Sequence, residues 1–335
     1  MRVKLEDVCV RGSSNLKQSD VIDFNGSYPI YGASGMIGKA DFYHQNAPYV
    51  SVIKDGAGIG RTAIHPAKSS VIGTMQYLIP KDNILPEYLY YVVKHMHLEK
   101  YYTGATIPHI YFKDYKNEEF NFDDIENQKK IVTILNKIQT IIDTRERQLE
   151  KYDELIKARF VEMFGDPVIN QSNWKIRQII DVCGCMVPGR DKPKSFTGDI
   201  PWITIEDLKI NGVTLNSKSG LGLTEKEISQ VNRKVIPKGS VIMSCVGNLG
   251  ICSIAGKKMV INQQLHSFQC GNNINNIFLM FYLGFRKDYM NKWASNTTVQ
   301  YMNKTICNSI PVIVPKIELQ NQFADFVKQI DKSKF

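Results

Sequence analysis

The chain has 335 residues, 43% hydrophobic and 22% charged, enough for two domains with a core each and ordinary for a globular protein. No apolar run approaches the ~20 residues of a membrane span and the opening MRVKLEDVCV lacks a signal-peptide core, so no membrane association and a cytoplasmic location are expected. The net charge of +9 sits in one segment: residues 1–123 hold 13 Lys+Arg against 13 Asp+Glu, 124–167 hold 8 against 9, 168–316 hold 18 against 8, and 317–335 hold 3 against 3, and a local basic surface of this kind suits a polyanion.

Along the chain, Leu5-Glu6-Asp7-Val8-Cys9 and Gly26-Ser27-Tyr28-Pro29 come first, and both reappear later. Tyr49 to Ile53 reads as a strand, turned by Gly56-Ala57-Gly58, and Pro86 to Lys94 as a short helix. From Ile125 to Phe164 no Gly or Pro interrupts. Leu135, Ile142, Leu149, Ile156 and Met163 recur every seven residues, and Ile131, Ile138 and Tyr152 form a second column of the same period. That is a heptad seam on one long helix. Asp123 or Asp124 is its N-cap, and Gly165-Asp166-Pro167 its stop. Forty residues at 1.5 Å each make a rod of roughly 60 Å.

After this helix the first part repeats. Leu5–Cys9 matches Ile179–Cys183 at an offset of 174, Gly26–Pro29 matches Gly198–Pro201 at 172, and Ile59-Gly60 matches Leu249-Gly250 at 190. Met75-Gln76 is matched to Gln263-Gln264 at 188, and Ile125–Gln128 to Ile317–Gln320 at 192. The order is kept, with an insertion of about 18 residues between Pro201 and Gly250. Val241 to Met243 reads as a strand, Gly247-Asn248 as its turn, and Ile277 to Phe285 as a helix. A second helix starts at Ile317, with Phe323, Phe326, Val327 and Ile330 corresponding to Ile131, Ile134, Leu135 and Ile138. It is expected to run back antiparallel along the first. Two similar units on one rigid helix can read two half-sites a fixed distance apart, and since the units differ in sequence the half-sites should differ.

The chain resembles the specificity subunits of type I restriction-modification systems over nearly its whole length. The carriers are Gly26-Ser27-Tyr28-Pro29-Ile30-Tyr31-Gly32-Ala33-Ser34-Gly35, Gly198-Asp199-Ile200-Pro201-Trp202-Ile203, Thr103-Gly104-Ala105-Thr106, the Ile-Glu-x-Gln helix openings, and Phe160-Val161-Glu162-Met163-Phe164-Gly165-Asp166-Pro167. The resemblance implies an α+β fold of two similar, strand-rich target recognition domains, residues 1–123 and 166–316. A central helix, 124–165, joins them, and a shortened second helix, 317–335, packs antiparallel to it. It also implies one half-site per domain on double-stranded DNA and a non-catalytic role, with two methyltransferase subunits on the helices and motor-nuclease subunits completing the restricting complex. S-adenosylmethionine, ATP and magnesium are then expected on the partners, with no cofactor on this chain. The second helix is shorter than the family's, so self-association through the uncovered Ile131–Ile142 stripe, or a truncated DNA-binding variant without an active complex, is the alternative. A self-contained methyltransferase is the other, but the cofactor domain and intact amine-binding motif it needs are both missing.

Loop residues with donors or planar groups are the DNA-contact candidates. They are Lys39, Arg61, Thr106, His109 and Lys113 in the first unit, and Arg190, Lys192, Lys194, Lys257, Lys258, Gln300, Tyr301 and Lys304 in the second. His109 and Tyr301 are equivalent, three residues beyond Thr106 and Thr298. Asp55-Gly56-Ala57-Gly58-Ile59-Gly60 reads as a turn rather than a cofactor loop, and Asp199-Ile200-Pro201-Trp202 lacks the first proline of an amino-methyltransferase motif. His95 and His97 point to different faces of a helix, no GxxxxGK[ST] loop is present, and the seven cysteines have no CxxC spacing. Neither a metal site nor a catalytic residue is expected, and the thiols read as buried and reduced.

Overall fold

Strand β1 (Arg2–Lys4) opens the chain in a computed structural model that describes residues 1–104, 108–189, 191–295 and 298–333. One helical turn follows, α1 (Leu5–Val8), then β2 (Cys9–Ser13), the hairpin β3 (Tyr28–Gly32) and β4 (Gly35–Ala40), β5 (Tyr49–Ile53), β6 (Thr62–His65), β7 (Ser70–Val71) and β8 (Met75–Pro80). The chain continues through α2 (Pro86–His95), α3 (Phe112–Tyr115) and β9 (Glu119–Asn121) into the 40-residue helix α4 (Ile125–Phe164). Strands β2-β8-β5-β6 form one antiparallel sheet. β4-β3-β7 form a second, with β3 parallel to β7, and β1 pairs β9. Central strand β5 is buried at every position because both its faces are covered. Val50 and Val52 join Leu89 and Val93 of α2, while Tyr49 and Ile53 pack with Val71, Met75 and Tyr77.

The second half repeats this path with β10 (Ile176–Gln178), α5 (Ile179–Val182), β11 (Cys183–Met186) and β12 (Ile200–Ile203). After the added pieces β13 (Val213–Thr214), β14 (Gly222–Leu223) and α6 (Glu225–Gln230) come β15 (Val241–Ser244), β16 (Cys252–Ala255), β17 (Val260–Ile261) and β18 (Leu265–Cys270). Helices α7 (Asn276–Gly284), α8 (Lys287–Trp293) and α9 (Lys304–Asn308), strand β19 (Pro311–Ile313) and α10 (Ile317–Ser333) finish it. The sheets are β11-β18-β15-β16-β13, β14-β12-β17 and β10-β19. Contacts divide the chain into units 1–145 and 146–335.

Strand register fixes the repeat residue by residue. Ile30 pairs with Ser70 as Trp202 pairs with Val260, which gives offsets of 172 and 190 and places the insertion between β12 and β15. There it adds β13, parallel to β16, on the edge that β6 leaves uncovered in the first unit. One sequence match is corrected. Cys9 pairs with Pro80 as Cys183 pairs with Cys270, so Met75 corresponds to Leu265 and not to Gln263. The glutamines matched at an offset of 188 are not equivalent: Gln76 stands in β8, whereas Gln264 lies in the turn before β18.

Asp124 caps α4, its Oδ1 accepting from Asn127 N at 2.8 Å. Gly165 ends the helix at φ +75°, with its N–H bonded to Val161 O at 2.8 Å. The glutamine of each Ile-Glu-x-Gln opening is a buried clamp. Gln128 Oε1 accepts from Leu85 N (2.9 Å), and its Nε2 donates to Asn83 O (3.1 Å) and Asp123 O (2.8 Å). Gln320 repeats this with Asn275 N (2.9 Å), Asn273 O (3.0 Å) and Pro315 O (2.8 Å).

The heptad seam is not continuous. At one end of α4, Val132 and the half-buried Ile131 join the core of the first unit. At the other, Ile156, Phe160 and Phe164 are buried in the second, with Met163 against them. Between these ends Leu135 and Tyr152 are half-buried, and Ile138, Ile142 and Leu149 are exposed. No residue from 133 to 155 is buried, and Ile134, Ile141 and Leu155, which lie off both columns, are exposed as well, so the middle of α4 is left uncovered on every face rather than along one stripe. Phe323 and Val327 of α10 are buried, and Phe326 and Ile330 pack beside them. Phe323 meets Phe281 of α7 at 5.6 Å and Phe160 at 5.2 Å, and Arg159 lies over Phe326 at 5.7 Å.

All seven cysteines are free thiols. Among the described residues no helix is long and apolar enough to cross a membrane, and no three His, Cys, Asp or Glu side chains are grouped to hold a metal.

Candidate nucleic-acid interface

Each unit carries the same crossing of two segments beside its central strand. In the first, residues 54–61 leave β5 and return as β6. Ile53 N donates to Arg61 O and Gly60 N to Ile53 O, both at 2.9 Å. Gly56 (φ +95°) and Gly60 (φ +80°) take the left-handed backbone, and a Cβ on Gly60 would lie 2.6 Å from Glu99 N. A second segment is bonded onto this turn, with Gly56 N to Pro108 O (3.0 Å) and Ile110 N to Lys54 O (3.0 Å). Thr103 and His109 exchange backbone bonds of 2.9 and 2.8 Å.

The second unit builds the crossing from other side chains. Ser244 N donates to Ile251 O (2.9 Å), Gly247 N to Gln300 O (2.8 Å), Met302 N to Cys245 O (2.9 Å) and Ser295 N to Tyr301 O (3.0 Å). Val246 is thereby bridged to Tyr301 as Asp55 is to His109. The equivalence of His109 and Tyr301 expected from sequence is one of backbone position. Tyr301 is 46% exposed.

The candidates fall into groups. His109, Arg61 and Lys113 cluster at the first crossing: Lys113 Nζ sits 5.3 Å over the Tyr111 ring, which stacks on His109, and Arg61 Nε reaches Gly58 O at 3.4 Å. Lys39 is exposed but stands on β4 opposite Pro29, at the end of that hairpin away from its turn. Gln300, Tyr301 and Lys304 are exposed together at the second crossing, where Lys304 begins α9. Lys257 and Lys258 lie just past the end of β16, which runs away from that crossing, and Lys258 pairs with Glu225 at 3.3 Å. Lys192 and Lys194 are exposed on the segment leading to β12. Thr106 and Arg190 lie outside the described residues.

Several residues that sequence reasoning passed over support these groups. Asp55, read as a turn residue, accepts from His109 Nδ1 at 2.6 Å and from Lys54 Nζ at 2.7 Å. Burial opposes its charge, but those two bonds outweigh it and hold the carboxyl below the usual range. The lysine-bearing segment is anchored at both ends. Arg233 donates through Nε to Asp191 O at 2.8 Å while lying 5.0 Å over the Trp202 ring. The Glu227 carboxylate accepts from Ser195 Oγ (2.5 Å), Thr197 N (3.3 Å) and Thr224 N (2.8 Å). These bonds, Ser195 foremost, pull Glu227 down to about 2. An arginine before a lysine and an acid three residues past a threonine were the available signals, but neither states its partner.

Comparison with known proteins identifies the fold. The sequence profile described as the type I restriction modification DNA specificity domain matches residues 1–151 and again 171–335. The type I restriction enzyme MjaIX specificity subunit of Methanocaldococcus jannaschii is 22% identical over 184 residues, covering 53% of this chain but only 43% of that protein. The putative MjaX specificity subunit of the same organism is 24% identical over 291 residues, 82% of this chain and 68% of the relative. The crystal structure of a type I restriction-modification system S subunit from M. genitalium superposes with a TM-score of 0.64 at 15% identity, over 100% of this chain and 90% of that one. One profile thus fits both halves, as the duplicated sheets and clamps do, and the chain belongs to the family of type I restriction modification DNA specificity domains.

Proposed function

We propose that this chain is the DNA specificity subunit of a type I restriction-modification complex and is not itself a catalyst. Each recognition unit, 1–123 and 166–316, reads one half of a bipartite target. Partner methyltransferase and motor-nuclease subunits, which carry S-adenosylmethionine, ATP and magnesium, methylate adenine and cut. The central helix 124–165 and the helix from 317 present partner-facing surface, for which the exposed Ile138, Ile141, Ile142 and Leu149 are the candidates.

One observation carries this reading: the same backbone crossing occurs twice, with a different planar side chain at its head, the partly exposed His109 in one and the exposed Tyr301 in the other. A common scaffold supplies position, and the unlike side chains supply different base preferences. Lys113 and Arg61, or Lys304, stand beside each head as phosphate contacts.

The test is co-expression with the partner methyltransferase, followed by single-molecule sequencing of host DNA for methyladenine. Two unlike half-sites with a fixed gap are expected. Methylation without a bipartite motif, or none from an assembled complex, would overturn the proposal.

A further inference from the structure

The first crossing holds a charge arrangement that the second lacks, and its role depends on this chain being the DNA reader proposed above. Asp55 binds His109 Nδ1 through Oδ1 at 2.6 Å and Lys54 Nζ through Oδ2 at 2.7 Å. The Asp55–His109 backbone bridge holds the two residues opposite each other. Tyr111 stacks on the imidazole at 6.3 Å and 19°, leaving the His109 side chain 36% exposed. The equivalent pair in the second unit is Val246 and Tyr301, which has no acid and no imidazole.

An ionised carboxylate only accepts, so the ring nitrogen facing it must carry a hydrogen. Asp55 is held in its ionised form by Lys54 and His109 against the effect of burial, so this constraint persists while an imidazole gains or loses its second proton. Nε2 is then a lone-pair acceptor in the neutral ring and an N–H donor in the charged one. We propose that Asp55 is a positioning residue that fixes Nδ1–H of His109 and leaves Nε2 to read one base pair of the first unit's half-site. The neutral ring accepts from the exocyclic amine of adenine or cytosine, and the charged ring donates to guanine O6 or N7. The groups around the ring are Asp55 and Lys54 from the β5 turn, Tyr111 and Lys113 from the segment entering α3, and the Thr103 backbone. The second unit's reading has no such proton switch.

The experiment selects bound sequences from a random duplex library with the full chain, alone and with its co-expressed methyltransferase, at about pH 5.5 and about pH 8.5. One position in one half-site should shift its guanine-to-adenine-or-cytosine ratio by roughly ten-fold between the two, and the other half-site should not move. His109→Gln should abolish the shift while keeping a preference for adenine. Asp55→Asn keeps the shape but lets an amide N–H face the ring, and it should cut the shift to under about two-fold while leaving the second half-site unchanged. Sequence-specific enrichment with no pH shift, or a shift that survives His109→Gln, overturns the inference and leaves DNA reading intact. No enriched sequence at either pH overturns the proposed function, and this inference with it.

Discussion

A buried primary amide is the residue on which each unit's helical framework turns. Gln128 and Gln320 are themselves buried and satisfy three backbone groups apiece. Gln128→Leu keeps the volume and strands those groups, so it should destabilise the first unit by about 2–4 kcal/mol, read by denaturant unfolding. The Ile-Glu-x-Gln pattern marked these positions, but the sequence could not say that the amide faces residues 83–85, since that loop is placed by α2. Asp55 is the sharper case. A carboxylate next to two glycines is what an ordinary turn looks like, and its partner His109 is 54 residues away. The two planar side chains were legible as equivalents, and the acid behind one of them was not.

Helix α4 shows what periodicity tells and what it omits. Its extent, cap and stop could all be read from Asp124, an unbroken run, and Gly165. The use of its faces could not, because Phe160 and Phe164 lie off the predicted columns and yet sit fully buried among Phe278 and Phe323. Phe160→Ala should cost about 3–5 kcal/mol in the second unit, whereas Ile141→Gln, at a position 68% exposed, should stay within about 0.5 kcal/mol. Paired denaturation curves of the two variants check this, and equal losses would contradict the difference in burial between the two positions. The fully buried strands β5 and β15 were legible as short apolar runs. The inserted β13 and β14 were not, because strands of two residues carry no periodicity.

Over the whole molecule, charge and duplication were the legible properties. The +10 of residues 168–316 predicts that phosphate contact is concentrated there. Replacing Lys192 and Lys194 together by Gln in the full chain should lower the slope of log affinity against log salt by about 1–2. Lys258→Gln should leave it unchanged, because that ammonium is already held by Glu225. Binding isotherms at several salt concentrations decide between them. The small sheets at the base of the units have a consequence in time. Arg2 pairs with Asn121, and Ile176 with Ile313, so the first strand of each unit is completed by its last. On the ribosome β1 must therefore wait, unpaired, until β9 has left the exit tunnel, and β10 must wait in turn for β19. Each unit closes late, through contacts of long sequence separation, the kind that folds slowly and keeps strand edges open to wrong partners in the meantime.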